Sequence, residues 1–141
     1  EQQAAPLVWG EGEVLRQGEG IAIIGIGTAI NHGLAASELW ETEGRAPLTV
    51  FNARFAKPLP EKQLLDLAAR HPRLLLVEEN VLAGGFSSAV LEFLNANGLK
   101  NDVRRLGLPD VYIEHGPAKK LREQAGLCAQ GVLAELKKFQ S

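Results

Sequence analysis

The chain has 141 residues, a formal net charge of −2, 45% hydrophobic residues and 23% charged residues. This length and balance are typical of one globular domain and leave too few polar tracts for long disordered segments. Lysine and arginine are dispersed along the chain, so there is no basic stripe to neutralise phosphates, and we expect no nucleic-acid partner.

Cysteine, histidine and methionine usage limits the chemistry further. Cys128 is the single cysteine, and the three histidines are spread without the spacing of a zinc site. No apolar run approaches the roughly 20 residues that a membrane helix needs. We therefore expect a cytoplasmic protein with no membrane contact. Because the sequence starts at Glu1 and contains no methionine, we also expect it to derive from a longer polypeptide.

The chain is predicted to alternate between strands and helices after a short tail or linker. The tail covers residues 1–10, with Val8 and Trp9 as candidates for anchoring it, and the domain covers residues 11–141. Apolar β-branched or leucine runs predict strands, and helical periodicity between glycine or proline signals predicts helices. The predicted strands are residues 13–16, 21–26, 48–52, 74–77, 103–106 and 111–113. The predicted helices are residues 29–43, 61–70, 86–96, 118–124 and 130–139.

The predicted strands at residues 21–26 and 74–77 are apolar along their whole length rather than on alternate residues. Strands of this kind are buried on both faces, and their alternation with helices predicts a mostly parallel sheet covered by helices on both sides. Thr28 is a candidate cap for the first helix, at the end of the Gly25-Ile26-Gly27-Thr28 turn. That turn resembles a dinucleotide-binding fingerprint, but Ile30 stands where the third glycine belongs, so we interpret it as a tight strand-to-helix turn.

A second motif resembles the nucleophile elbow of a serine hydrolase. Ser87 lies in Gly85-Phe86-Ser87-Ser88-Ala89, and Ser87, Asp110 and His115 follow the chain order of an α/β-hydrolase triad. In a true elbow the serine follows its strand directly, whereas here residues 80–84 intervene. A structural role for Ser87 is therefore favoured, and a hydrolase is the lesser alternative.

The remaining polar residues give no complete catalytic set. Glu78 and Glu79 are adjacent on a strand, so their side chains point to opposite faces and cannot act as a facing acid–base pair. His115 precedes a Gly-Pro turn and is interpreted as a hydrogen-bonded loop residue, and Cys128 as a small buried residue on a helix. No Walker phosphate loop is present.

Four sequence blocks together resemble one enzyme family. From about residue 10 to residue 136, the chain resembles the C-terminal domain of the 1-deoxy-D-xylulose-5-phosphate synthase family, and more loosely that of transketolases and 2-oxoacid dehydrogenase β subunits. Pro60 and Ser87 depart from the family pattern, which usually has an aspartate and a glycine there. The blocks are Asn52-Ala53-Arg54-Phe55-Ala56-Lys57-Pro58-Leu59, Val77-Glu78-Glu79-Asn80, Gly84-Gly85-Phe86-Ser87-Ser88-Ala89-Val90, and Leu106-Gly107-Leu108-Pro109-Asp110 followed by Glu114-His115-Gly116.

The resemblance implies a parent enzyme that condenses pyruvate with glyceraldehyde 3-phosphate, with loss of carbon dioxide, for isoprenoid and thiamine biosynthesis. It implies a three-layer α/β/α fold with a five-stranded mixed sheet, in which one strand, near residues 13–16 or 111–113, is antiparallel. In this family thiamine diphosphate and magnesium are held by other domains, and this chain lacks the Gly-Asp-Gly segment and following asparagine that hold them. We therefore expect no catalytic, cofactor or metal residue here, and no activity of the isolated chain.

Polar residues after the predicted strands are the candidates for an interface. The loops that follow parallel strands gather along one edge of the sheet, and we predict that this edge contacts the remaining domains or the second subunit of a homodimer. Arg54 and one of the two adjacent glutamates would form charge-assisted contacts. Two alternatives stay open, an ion pair internal to the domain and a free-standing anion or nucleotide binder that uses helix N-termini. The candidate interface residues are Thr28, Arg54, Glu78, Glu79, Asn80, Gly84, Gly85 and His115.

Overall fold

A computed structural model describes residues 5–109 and 117–140. In this part of the chain, two strands come first, strands and helices then alternate from β2 to β5, and two further helices follow. The strands are β1 (Glu13–Arg16), β2 (Ile21–Gly25), β3 (Thr49–Asn52), β4 (Arg73–Val81) and β5 (Asp102–Leu108). The helices are α1 (Ala29–Thr42), α2 (Glu61–Arg70), α3 (Phe86–Ala96), α4 (Ala118–Gln124) and α5 (Ala129–Lys137), followed by a 3-10 helix (Lys138–Gln140).

The five strands form one mixed sheet in the order β1-β3-β2-β4-β5. β1 pairs antiparallel with β3, and the other neighbours pair in parallel. The predicted three-layer α/β/α fold is thereby confirmed, with the strand at residues 13–16 as the antiparallel one. The predicted strand at residues 111–113 lies outside the described residues.

Helices cover both faces of the sheet, so there is one apolar core on each face. Successive residues of β2 point to opposite faces and enter different cores. Ile23 packs into the core that includes α1 and α5, whereas Ala22 and Ile24 pack into the core that includes α2 and α3. All three side chains have no exposed surface. Burial of one such isoleucine stabilises the fold by about 1.5–3 kcal/mol, which explains why these strands are apolar on both faces.

β4 is longer than predicted and continues through polar residues. It pairs with β5 up to Val81, opposite Leu108, after an irregularity in register that follows Val77. The sequence prediction placed Glu78 and Glu79 at the end of this strand, whereas the strand continues through Asn80 and Val81. Glu78, Glu79 and Asn80 therefore lie within the strand, at its carboxyl end.

None of the helices in the described ranges has the length and apolar character needed to cross a bilayer.

Candidate functional site

The candidate interface residues lie at one edge of the sheet, which we call the carboxyl edge. Thr28 follows β2, Arg54 follows β3, and the Gly84-Gly85 pair lies between β4 and α3. Because β1 is antiparallel and Glu13 pairs with Asn52, the residues before β1 reach the same edge. His115 lies outside the residues that the structure describes.

Glu78 is buried at the carboxyl edge and serves the domain internally. Its Oε1 accepts a hydrogen bond from the Phe86 N–H at 3.1 Å, and its Oε2 accepts one from the Ser87 N–H at 2.5 Å. These amides belong to the first turn of α3, where backbone N–H groups lack helical partners and the helix dipole favours a negative charge. Of the two adjacent glutamates, only Glu79 is therefore available to an interface.

The glycine pair before α3 makes room for this carboxylate. A Cβ atom on Gly85 would lie 2.1 Å from Glu78 Oε1 and 2.4 Å from the Val81 carbonyl oxygen. Gly84 has a φ of 70°, in the left-handed region that favours glycine. Both glycines thus have a structural reason to be there, and Gly85 contributes no side chain to a contact.

Ser87 is fully buried in the first turn of α3. Its hydroxyl oxygen has no hydrogen-bond partner among the described residues, and its backbone N–H is bonded to Glu78. A hydrolase nucleophile must be exposed to its substrate, so the burial favours the structural interpretation of Ser87. The other two residues of the hydrolase hypothesis, Asp110 and His115, are outside the described ranges.

Glu79 faces the other side of β4, as predicted for adjacent strand residues, and forms a small charged cluster. Its Oε1 accepts a hydrogen bond from Arg122 Nη1 at 3.2 Å and lies 3.9 Å from His32 Nε2. The glutamate side chain is 29% exposed and the arginine 37%. His32 and Arg122 could not be selected from the sequence, because they come from α1 and α4 and meet Glu79 only in the folded chain.

A pocket of about 320 Å³ opens beside this charged cluster. Its lining combines charged and polar side chains with apolar ones. The lining residues are His32, Lys119, Arg122, Glu123, Leu127 and Cys128. Cys128 is the N-cap of α5, where its sulfur accepts a hydrogen bond from the Gly131 N–H at 3.4 Å. It therefore caps the helix at an intermediate depth, rather than being buried within it as predicted.

Thr28 is exposed at the N-cap position of α1, but its side chain makes no capping hydrogen bond. The predicted side-chain cap is therefore wrong. The backbone makes the contact instead, because the Asn31 N–H donates to the Thr28 carbonyl oxygen at 3.1 Å. The hydroxyl of Thr28 is not used by the cap, so it can contribute to a surface.

Arg54 forms an ion pair inside the domain. Its Nη2 lies 2.6 Å from Glu13 Oε2, which links the loop after β3 to β1. The backbone of Arg54 has a φ of 61°, and its N–H donates to Asn52 Oδ1 at 3.0 Å. Glu13 was not predicted as the partner of Arg54. The side chain of Arg54 is still 26% exposed, so the pair does not remove it from the surface.

Sheet order, the antiparallel first strand and the glycine turn before α3 define a domain of the three-layer α/β/α class. The chain belongs to the transketolase C-terminal domain family, whose sequence model matches residues 10–132.

Two bacterial synthases are similar to this chain over most of its length. The 1-deoxy-D-xylulose-5-phosphate synthase of Nitratidesulfovibrio vulgaris is 52% identical over 140 residues, which are 98% of this chain and 22% of that protein. The synthase of Heliobacterium modesticaldum is 47% identical over 124 residues, 87% of this chain and 19% of that protein. The chain thus spans about a fifth of the length of the curated relatives it matches.

Two solved structures have the same fold. A split-gene transketolase, in the form of an inactive β4 tetramer, superimposes with a TM-score of 0.86 and 29% identity, over 95% of this chain and 43% of that chain. The transketolase of Campylobacter jejuni superimposes with a TM-score of 0.65 and 16% identity, over 92% of this chain and 18% of that chain. The second likeness shows the fold alone.

Proposed function

We propose that this chain is the C-terminal domain of a 1-deoxy-D-xylulose-5-phosphate synthase, and that it docks onto the other domains of that enzyme without supplying catalytic groups. The observation that carries this proposal is 52% identity to such a synthase over 98% of the chain. A shared fold would be insufficient, because one fold supports many functions. A 2-oxoacid dehydrogenase β subunit and a free-standing binder are less favoured, because the N. vulgaris and H. modesticaldum relatives are both synthases.

The proposed parent condenses pyruvate with glyceraldehyde 3-phosphate and releases carbon dioxide. Thiamine diphosphate, held with magnesium, supplies the carbanion chemistry of such a reaction when it is bound. Among the described residues, the two glutamates at the end of β4 do not fit a magnesium site. Both oxygens of Glu78 are bonded to backbone amides, Glu79 is paired with Arg122, and the described residues contain no cluster of three potential metal ligands. On the strength of the family resemblance, we place both cofactors in the remaining domains.

The split-gene transketolase supports the role in assembly. That protein is described as inactive in the β4 form, which is what we expect of a chain that holds this domain without the rest of its enzyme. By the same reasoning, the isolated 141-residue chain should be folded and inactive. We also propose that the parent is a cytoplasmic homodimer, in which the carboxyl edge, with Thr28, Arg54, Glu79 and Asn80, faces other domains or the second subunit.

Calorimetric titration of the isolated chain tests this proposal against a free-standing binder. Thiamine diphosphate with magnesium, and separately inorganic phosphate, are titrated into the folded chain. A docking domain should show no saturable heat with either compound. Saturable binding that weakens in Arg122→Ala, which lines the pocket beside Glu79, would instead support a small-anion binder. Turnover of pyruvate and glyceraldehyde 3-phosphate by the isolated chain would contradict the proposal.

A further inference from the structure

Exposed apolar side chains cluster where the chain approaches β1. Leu7, Val8 and Trp9 are 65%, 54% and 73% exposed, and the Trp9 ring lies 5.1 Å from the ring of Phe55, between centroids. Phe55 itself is half-buried. We call Leu7, Val8, Trp9 and Phe55 the Trp9 patch. Single exposed apolar residues are common, but a contiguous group that includes a tryptophan marks an interaction site.

The backbone below the patch is fixed by hydrogen bonds. The Glu11 N–H donates to the Val8 carbonyl oxygen at 3.1 Å, which closes a turn with Gly10 at a φ of 75°. Just after this turn, Gly12 forms two hydrogen bonds with the side-chain amide of Gln63 on α2. Its N–H donates to Gln63 Oε1 at 2.7 Å, and its carbonyl oxygen accepts from Gln63 Nε2 at 3.1 Å. Trp9 is therefore presented on a braced turn, although it falls in the predicted tail. A preformed surface loses less conformational entropy when it binds.

The Phe55 side of the patch is braced as well. Its neighbour Arg54 has a left-handed backbone, which costs a residue other than glycine about 1–2 kcal/mol. The hydrogen bond to Asn52 Oδ1 and the ion pair with Glu13 hold this conformation in place. Strained backbone of this kind persists where the surrounding structure enforces it, and such sites are enriched at functional surfaces.

The small size of the Trp9 patch favours a partner on the same polypeptide over a separate protein. Stable complexes between separate proteins use about 20–30 residues on each side, and the Trp9 patch has four. A partner on the same polypeptide needs far fewer contacts, because the covalent link gives an effective concentration in the millimolar range. Residues 7–9 directly precede β1, so in a longer chain they lie closest to whatever precedes this domain.

We infer that the Trp9 patch is the docking point for the preceding domain of the same polypeptide, which presents an apolar pocket that receives the Trp9 indole. This inference rests on the proposed function, since the chain must be part of a longer synthase. Tryptophan suits such a contact, because it is one of the residue types enriched among those that contribute most to binding energy at interfaces. The charged cluster around Glu79 is a separate surface at the other end of the carboxyl edge.

Hydroxyl-radical footprinting read by mass spectrometry tests the inference. The isolated chain is compared with a chimera in which it replaces the corresponding 140 residues of the N. vulgaris synthase. Labelling of Trp9 and Phe55 should fall in the chimera toward the level of Trp40, which is buried with 4% exposure. Leu65, which is 38% exposed on α2, should be labelled equally in both. Unchanged labelling of Trp9 in a folded chimera would overturn the inference.

A pair of variants gives an independent measure. Trp9→Ser in the chimera should speed the proteolytic release of the C-terminal domain while leaving the thermal unfolding of the isolated chain unchanged. The matched control Leu65→Ser should do neither. Equal release rates for Trp9→Ser and Leu65→Ser would overturn the inference.

Two further outcomes separate the possible failures. If sedimentation of the isolated chain shows a dimer that Trp9→Ser dissociates, the patch receives a second copy and the inference is wrong. If the wild-type chimera has no synthase activity although Trp9 is protected, the proposed function fails and the docking point stands.

Discussion

The buried carboxylate of Glu78 lies below the first turn of α3, where its Oε2 accepts the Ser87 N–H at 2.5 Å. This contact joins the end of β4 to the start of α3, and with the Phe86 N–H at 3.1 Å it satisfies two amides that the helix leaves free. It sets the position of α3 against the carboxyl edge. The geometry of the proposed docking surface therefore depends on a residue that does not itself reach the surface.

Removal of the Glu78 charge should destabilise the isolated domain. In Glu78→Gln an amide N–H₂ replaces one acceptor, so a buried backbone N–H loses its partner, and we expect the free energy of unfolding to fall by about 2–4 kcal/mol. Urea denaturation measures this change. Glu92→Gln, at an exposed position of the same helix, should change the stability by less than about 0.5 kcal/mol. Similar small effects for both variants would show that the buried carboxylate does not support α3.

Gly85→Ala and Ser87→Ala should have opposite consequences. The added methyl group at residue 85 would collide with the Glu78 carboxylate and with the Val81 carbonyl oxygen, so we expect a loss of about 2–4 kcal/mol in stability. Ser87→Ala removes a buried hydroxyl that has no partner among the described residues and should leave stability unchanged or slightly higher. Thermal unfolding of both variants is the measurement. A serine variant that unfolds more readily than the glycine variant would contradict this ordering.

The stability of the domain should fall as the solution is acidified through the range just below pH 6.5. Burial lowers the pKa of His71 from 6.5, and Arg70 lowers it further. The neutral ring is therefore favoured in the folded state, and below pH 6.5 the unfolded state binds a proton that the folded state does not. This loss is complete once the pH falls below the folded pKa. A second loss of stability, from Glu135, comes at lower pH. Burial alone would raise the pKa of Glu135, but hydrogen bonds from Lys138 and Arg104 outweigh it and lower the pKa from 4.5.

His71→Leu isolates that contribution. The variant should lose less unfolding free energy than the wild type between about pH 7.5 and about pH 5.5, because it has no ring to protonate. Urea titrations at the two pH values give the comparison. Equal losses in the variant and the wild type would show that His71 does not carry this pH dependence.

Much of the fold could be predicted from local sequence signals. The bounds of β1, α2 and α4 match the predicted ranges, because charged residues, prolines and glycines mark where these elements begin and end. The end of β4 and the role of Glu78 could not be predicted in this way. Isolated carboxylates are rarely fully buried, and Glu78 is buried only because Gly85 leaves space and α3 supplies two donors, which are features of the tertiary structure.

The candidate surface could be predicted only in part. The position of the selected residues along one edge could be predicted, because alternating strands and helices indicate a parallel sheet, in which the loops after the strands gather at one edge. The partner of Arg54 did not follow, because Glu13 belongs to the antiparallel strand and its register with Asn52 is a tertiary feature. The Val8 and Trp9 pair was predicted to anchor the tail, yet both side chains are exposed. An apolar residue near a chain end can pack inward or outward with the same local sequence.

Arg54→Ala should affect the whole enzyme more than the isolated domain. The ion pair with Glu13 is partly exposed, and such pairs contribute at most about 1 kcal/mol, so the melting temperature of the isolated chain should change little. In the chimera with the N. vulgaris synthase, the loss of the guanidinium should weaken docking and reduce turnover. A large fall in the stability of the isolated chain, with unchanged turnover of the chimera, would show that the pair serves only the domain itself.

Synthase activity of the chimera is the most direct test of the central claim. The N. vulgaris enzyme without its C-terminal domain, the same enzyme joined to this chain, and this chain alone are each supplied with pyruvate, glyceraldehyde 3-phosphate, thiamine diphosphate and magnesium. Formation of 1-deoxy-D-xylulose 5-phosphate is then measured. We predict product from the chimera and none from either part alone. A folded chimera that is as inactive as the truncated enzyme, or turnover by this chain alone, would contradict the claim.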